Sequence, residues 1–528
     1  ASGSASFIGG GQFNNVSGAA AVLGGGNNNL ATGSRSTIGG GKNNSALGCC
    51  STVAGGFSGT AGVFGSTIGG GYCNGTFANA SVIGGGGINC IDGGSNLSTI
   101  AGGKNNKICK DSLFGTIGGG SMNKITGNYG TIAGGRTNCA GPGSFVGGGY
   151  TNNAFNSCAV VVGGLFTNNC ANYAFVGAGG AHTIMPTAGC AFIGAGQSHK
   201  LCGTDSSIVG GDKNIIENNS KCAFIGGGKE NRSLSAFSTI GGGCANQSNA
   251  ANATIGGGSG NLASGIHSTI AGGFSSRSLS AYAFIGGGTS NVVSGSAASV
   301  VGGLYNTVSG NLASILGGKC NTASGCRTVI TGGSCNIAYG NRTFVGGGSI
   351  NALSGNCSAI VGGLRNTVTG DYSSIVGGLS SKAIGNHSFI GGGNNNIACG
   401  IRSTIGGGAF NTASGNCSTI GGGKNNITSG NGNSSFVGGG TSNIACGNKS
   451  GILGGESNIV TSGHQSSFII GSNLVSNLSS TTFVNNISSQ GTIFTGKFTT
   501  TKRNNDLGTN AENGMLIYNS TTNKFQGY

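Results

Sequence analysis

The chain has 528 residues, with 117 Gly, 2 Pro, no Trp and 7% charged residues. Glycine is roughly threefold above its usual share of about 7%, but without a G-X-Y period or abundant Pro, which excludes collagen, and 36% hydrophobic residues exclude a solvated disordered chain. The net charge of +15 comes from 25 Lys and Arg against 10 Asp and Glu, scattered singly, so the basic clustering that specific nucleic-acid binding requires is missing.

An Ile, Val or Leu ahead of a glycine-rich triplet recurs from the start of the chain. These anchors begin at Ile8, Leu23, Ile38 and Val53, run through Ile240, Ile255, Ile270 and Ile285, and end at Ile452, Ile469 and Val484. Of 31 intervals between 32 anchors, 24 are 15 residues, six are 17 and one is 14. Each unit reads apolar, x, Gly, Gly, two variable residues, Asn, a small-to-apolar triplet such as Leu262-Ala263-Ser264, Gly, two variable residues, Ser, x. Two short β-prone segments thus alternate with two turns. The first turn carries glycines and Asn, which tolerate positive φ; the second carries Ser-Gly. Fifteen residues are too few for two helices with turns, but fit one coil of a parallel β-solenoid. The fold class predicted is therefore all-β, a parallel β-solenoid of about 15-residue coils over residues 1–484. At ~4.8 Å per coil it would form a rod of roughly 150 Å.

The long intervals place their extra residues around the second turn, as in Asn431-Gly432-Asn433 after Gly430. An insertion inside a strand would turn its side chains to the wrong face. Beyond the last anchor the repeat fades. Residues 485–507 read as a transition segment, and 508–528 as the start of a small terminal β-domain. There Met515–Asn519 and Lys524–Tyr528 flank a turn at Ser520–Asn523.

The residue before the anchor is often Phe, as at Phe7, Phe145, Phe224, Phe284 and Phe436. Successive strand side chains point to opposite faces, so both faces of this strand are partly apolar and both are expected to be buried. One fills the coil and the other needs a partner. A coil this small also encloses a thin core. A closed homo-oligomer follows as the economical expectation.

Chemistry-bearing motifs are sparse. GGGKNN at 39–44 and 421–426 lacks the GxxxxGK[ST] of a P-loop, and no helix follows it. The six aspartates share no register, against a calcium repeat. CxxC spacing for zinc is missing, as are carboxylate pairs for glycosidic hydrolysis. No cofactor and no enzymatic activity are expected. His182, His199, His267, His387 and His464 are isolated and read as exposed turn residues. Among the 19 cysteines, Cys50, Cys158, Cys190, Cys222, Cys357 and Cys417 lie three before an anchor, and Cys109, Cys170, Cys202, Cys399 and Cys446 lie nine after one. They read as small residues in tight slots. Cys320 and Cys335, one coil apart in one register, are a possible disulfide. Thr239, Thr254 and Thr269 align as an ice-binding column would, but Phe224 and Phe284 interrupt it.

Units such as STIGGGAFNTASGNCSTIGGGKNNITSG (403–430) resemble the head repeats of YadA-type trimeric autotransporter adhesins. The resemblance spans residues 1 to about 484. It implies a left-handed β-roll assembled as a homotrimeric rod, extracellular and non-enzymatic, attaching to a host surface glycan or protein. The usual family unit is slightly shorter, with fewer glycines, and its members generally avoid cysteine. The terminal GTNAENGMLIYNSTTNKFQGY resembles a segment of phage tail-fibre-like and giant-virus surface proteins. Together these imply a trimeric fibre on a virion, phage or bacterial cell surface. The alternative is a structural filament or sheath subunit without a receptor. Both chain ends look cut, so a membrane anchor is expected outside this chain.

Overall fold

The computed structural model describes residues 1–485 and the strands Leu516–Asn519 and Lys524–Gly527. It divides into two compact units, Ala1–Asn395 and Asn396–Tyr528. Each is built of parallel β-coils, about 32 in all, with no helix among the described residues.

Each coil contributes two short strands. Thr254–Ile255 pairs in parallel with Thr239–Ile240 of the coil before and Thr269–Ile270 of the coil after. The second strand, Leu262–Ala263, pairs likewise with Gln247–Ser248 and Arg277–Ser278. Like therefore stacks on like, residue by residue. Anchor side chains such as Ile240, Ile255 and Ile270 are fully buried, and they face a second buried column through Ala263, Val293 and Val308. The core is these two columns, the second admitting polar residues such as Ser248 and Ser278.

The first turn is held by a third column. Asn246 donates from its amide to the Gly242 carbonyl, 2.9 Å away, and to the Gly258 carbonyl of the next coil, also 2.9 Å. Its own Oδ1 accepts the N–H of Asn261 at 3.0 Å. The same three bonds recur at Asn261, Asn321 and Asn336. Every polar group of a fully buried carboxamide is thus met. The asparagine is not the positive-φ residue expected of it. The left-handed conformation falls one residue earlier, as at Ala245 with φ of 53°, and on glycines such as Gly243 with φ of 91°. A Cβ at Gly243 would strike the Gly258 carbonyl and the Asn246 amide, so this glycine is required twice over.

The insertions fall where the spacing placed them. Residues 241–246 and 84–89 are six-residue first turns in a 15- and a 17-residue coil alike. The second turn grows instead, from five residues at 249–253 to seven at 92–98. In the 14-residue interval it shrinks to four, at 141–144. Downstream, Leu516–Asn519 and Lys524–Gly527 pair antiparallel. Met515, 520–523, Tyr528 and nearly all of the 485–507 segment lie outside the described residues.

Asn321→Ala should strand the Gly317 carbonyl and the Asn336 N–H, while the Gly333 carbonyl keeps the Lys319 N–H. At about 1–3 kcal/mol for each unmet buried group, amide hydrogen exchange in the flanking coils should quicken at least tenfold. Asn321→Ser should do less, because Ser276 already serves in this column, accepting the Asn291 N–H at 3.4 Å.

Candidate functional site

The functional surfaces of a coil are the outward positions of its two strands and its two turns. On the first strand these are the residues before and after the anchor. No charged residue occupies either position in any described coil. The two positions are complementary in size. In most coils where Phe precedes the anchor Gly follows it, as in Phe224/Gly226, Phe284/Gly286 and Phe344/Gly346, and the ring lies over that glycine, 3.2–3.5 Å from where its Cβ would be; Phe468 is followed by Ile470. Where Ser or Ala precedes, a larger residue follows: Ser299/Val301, Ser314/Leu316, Ala359/Val361. Phe175 and Phe192 stack across neighbouring coils with centroids 5.4 Å apart. The face is flat, apolar and uncharged. Within the chain it is not buried: Phe224, Phe284 and Phe344 are 39–40% exposed, and Val301 and Val361 50%. The second buried face expected from the sequence is therefore not supplied by the chain itself.

The opposite face, on the second strand, carries Lys107, Lys124, Lys200, Arg232, Arg277 and Lys382. Ion pairs there join neighbouring coils, Lys107 to Asp92 at 2.9 Å and Arg232 to Glu217 at 2.6 Å. From Val292 to Thr369 this face is also uncharged and carries hydroxyl pairs at Thr307 and Ser309, Thr322 and Ser324, Thr367 and Thr369, with Ile337 and the exposed Tyr339, and Ala352, between them. These Thr-x-Ser/Thr pairs lie on the second strand and are interrupted, as is the Thr column of the first.

Three expectations about single residues are corrected. His182 and His199 are not exposed turn residues; both are fully buried. They stand in the asparagine column and replace its amides. The His199 N–H donates to His182 Nδ1 at 3.3 Å, and the Asn214 N–H to His199 Nδ1 at 3.1 Å. His182 Nε2 lies 3.1 Å from the Ala178 carbonyl. Only the neutral Nε2–H tautomer offers an acceptor and a donor on these two sides. The rings stack 5.0 Å apart. Burial lowers both pKa values, that of His199 to about 4, with His182 beside it as the next cause. By contrast His267 and His387 are exposed and stack on Tyr282 and Tyr372. His464 is half-buried, its Nδ1 2.8 Å from Thr461 Oγ1.

The cysteines three before an anchor do not fill tight slots. Cys50, Cys158, Cys190 and Cys417 are exposed, Cys222 and Cys357 half-exposed, each left-handed with φ of 54–57°. Arg327, Tyr129 and Tyr173 occupy the same position in other coils. Those nine after an anchor lie on the second-strand side: Cys109, Cys170, Cys399 and Cys446 half-buried and Cys202 buried. Burial raises the pKa of Cys109, Cys170, Cys202 and Cys399. It also raises that of Cys90, with a hydrogen bond to Asp92, to about 12. Cys320 and Cys335 occupy the left-handed position of the first turn in adjacent coils, both as free thiols. Stacking sets their Cα atoms ~4.8 Å apart, within disulfide reach. Among the described residues no group of three His, Cys, Asp or Glu is placed to hold a metal ion, and no helix is long and apolar enough to cross a membrane.

Repetition, parallel pairing and the two-column core define a β-roll repeat protein. A family model described as grass antifreeze β-roll matches residues 279–377, a stretch of uniform 15-residue coils that includes the second-strand hydroxyl pairs. No curated protein matches the chain. The family match supports the β-roll, while the likeness to YadA-type heads and to phage or giant-virus fibres remains one of sequence pattern.

Acid should weaken the coils around His182 and His199. Unfolded, both rings take up protons as pH falls through about 6.5; folded, they stay neutral, His199 down to about 4. The unfolded chain then holds more protons, so the histidine contribution is full above pH 6.5. It is lost toward pH 4 at up to about 1.4 kcal/mol per pH unit and ring. Denaturant midpoints at pH 7 and 4.5 should lie closer together in H182N/H199N, where amides complete the column.

Proposed function

We propose that the chain is a non-enzymatic extracellular fibre protein, of a virion or cell surface, that assembles with two further copies through its uncharged first-strand face. The observation that carries this reading is the exclusion of charge from that face in every described coil. A solvated surface this long gains solubility from charge, and the opposite face has it. Each coil offers ~4.8 Å of height across a face ~10 Å wide. About 17 coils thus supply the ~800 Å² per partner of a stable interface. The Phe-over-Gly pairing keeps the face level enough to pack. With the first-strand faces turned inward, the second-strand faces and both turns would meet the host surface. Light scattering should give three times 50.8 kDa, unchanged by reductant. V301K/V361K should lower the mass to that of a single chain. A native monomer would overturn the reading, and an open-ended mass distribution would favour the filament subunit.

A second reading has its own support. The antifreeze β-roll match coincides with the Thr-x-Ser/Thr pairs at Thr307, Thr322 and Thr367 of the second-strand face, and ordered hydroxyls and methyls on a rigid plane suit ice. Under this reading the chain should show thermal hysteresis, and T307K/T322K should abolish it while leaving the first-strand face intact. Freezing-point behaviour equal to that of an inert protein at the same concentration would dispose of it.

A further inference from the structure

We propose that the second-turn edge between Cys326 and Tyr372 binds an acidic oligosaccharide, held through its sulfate or carboxylate group by Arg327 and Arg342. The two arginines occupy the same left-handed position in adjacent coils, with φ of 55° and 56°. Their backbones are pinned by N–H bonds to the Asn311 carbonyl at 2.9 Å and the Cys326 carbonyl at 2.8 Å. Both side chains are exposed, and stacking sets their Cα atoms ~4.8 Å apart. Where stacking brings Lys107 or Arg232 close to another coil, a carboxylate answers it. Neither Arg327 nor Arg342 has an ion-pair partner among the described residues. Two guanidinium groups on adjacent coils can converge on one anion placed between them, and their planar forks suit sulfate and carboxylate oxygens.

The arginines border an open groove of about 500 Å³ whose other walls include Asn341, Asn356, Asp371 and Tyr372. Its floor is a second carboxamide ladder, this one exposed. Asn341 Oδ1 accepts the Cys326 N–H at 2.8 Å, Asn356 Oδ1 the Asn341 N–H at 3.0 Å, and Asp371 Oδ1 the Asn356 N–H at 2.7 Å. The Asn341 amide hydrogens are left free to donate. Asp371 makes the groove polar end to end: it repels an anionic group there but accepts from sugar hydroxyls. Beside it, the exposed Tyr372 ring, stacked on His387 with centroids 5.0 Å apart, gives a platform for a sugar face. An acidic group thus sits at the arginine end and a neutral ring at the other.

This gives the surface-attachment reading a ligand class and rests on that reading for its biological meaning. The trimer is read by mass and groove binding by titration, so either can fail alone. Three hexasaccharides of equal length, one sulfated, one carrying only uronate carboxylates and one neutral, would be titrated calorimetrically into the full chain at two salt concentrations. One or both acidic probes should bind, more weakly at high salt, and the neutral one should not; which acidic probe binds tells sulfate from carboxylate. R327Q/R342Q should lose at least tenfold in affinity and R327K/R342K less. R365Q, a first-turn arginine, should change it less than twofold. Circular dichroism would verify that each variant folds. No binding by either acidic probe would overturn the proposal. So would equal losses in R365Q and R327Q/R342Q, which would mark a diffuse response to net charge.

Discussion

A buried asparagine amide has two hydrogens and one oxygen to place. In this coil all three go to backbone groups whose positions depend on the chain returning to the same spot every turn. Asn246, Asn261, Asn321 and Asn336 each tie their own first turn to the coils on either side. One residue more between anchor and asparagine would carry the amide out of the column and leave the next asparagine's buried N–H and the first glycine carbonyl unmet. That cost explains why the first turn stays at six residues while the second ranges from four to seven. Glycine follows from the same constraint, because the amide and the next carbonyl crowd the space a Cβ at Gly243 would need.

The core is thin because 15 residues spent on two strands and two turns leave only two inward apolar side chains per coil. Stability must therefore accumulate from coil-to-coil interfaces, as in other repeat arrays. The polar column shares the work of the apolar ones. It is also where the array tolerates variation. Ser276 stands in for the amide with a hydroxyl. His182 stands in with a neutral ring whose two nitrogens mimic the amide's acceptor and donor, and His199 with its Nδ1 as acceptor. That substitution works only while the rings are uncharged, so it writes a pH sensitivity into one short stretch of an otherwise indifferent structure.

The period, the parallel stacking and the place of the insertions were legible because each rests on spacing, and spacing survives in a single sequence. The asparagines were misread because Asn is a common turn former, and residue type alone suggests an exposed, positive-φ role. The better signal was register: Asn recurs six residues after the anchor with a constancy a solvated turn does not need. His182 and His199 fall in that register too, which would have placed them inside. The cysteines misled in the opposite way. Cys50 and Cys158 share their position with arginine and tyrosine elsewhere, and a slot that admits Arg327 cannot be tight. The second-strand hydroxyl pairs escaped notice because they recur over only part of the repeat.

The two uncharged surfaces suit different kinds of partner. A protein interface wants apolar area that interlocks. The first-strand face supplies it with phenyl rings laid on glycines and with larger residues after the anchor where the preceding one is small. Those same rings spoil it for ice, whose lattice rewards a strict repeat of small groups. The second-strand face between Val292 and Thr369 offers hydroxyl pairs at Thr307, Thr322 and Thr367 instead, interrupted by Ile337 and Tyr339. Its charge returns at Lys382 and, on the other side, at Arg277, so this patch is bounded where the interlocking face is not. A surface uncharged along every described coil is what lengthwise association of copies requires, whereas a bounded patch suffices for a ligand that meets the protein at one place. On the proposed reading, the broader constraint is that of assembly, and the patch and the arginine groove are local additions to it.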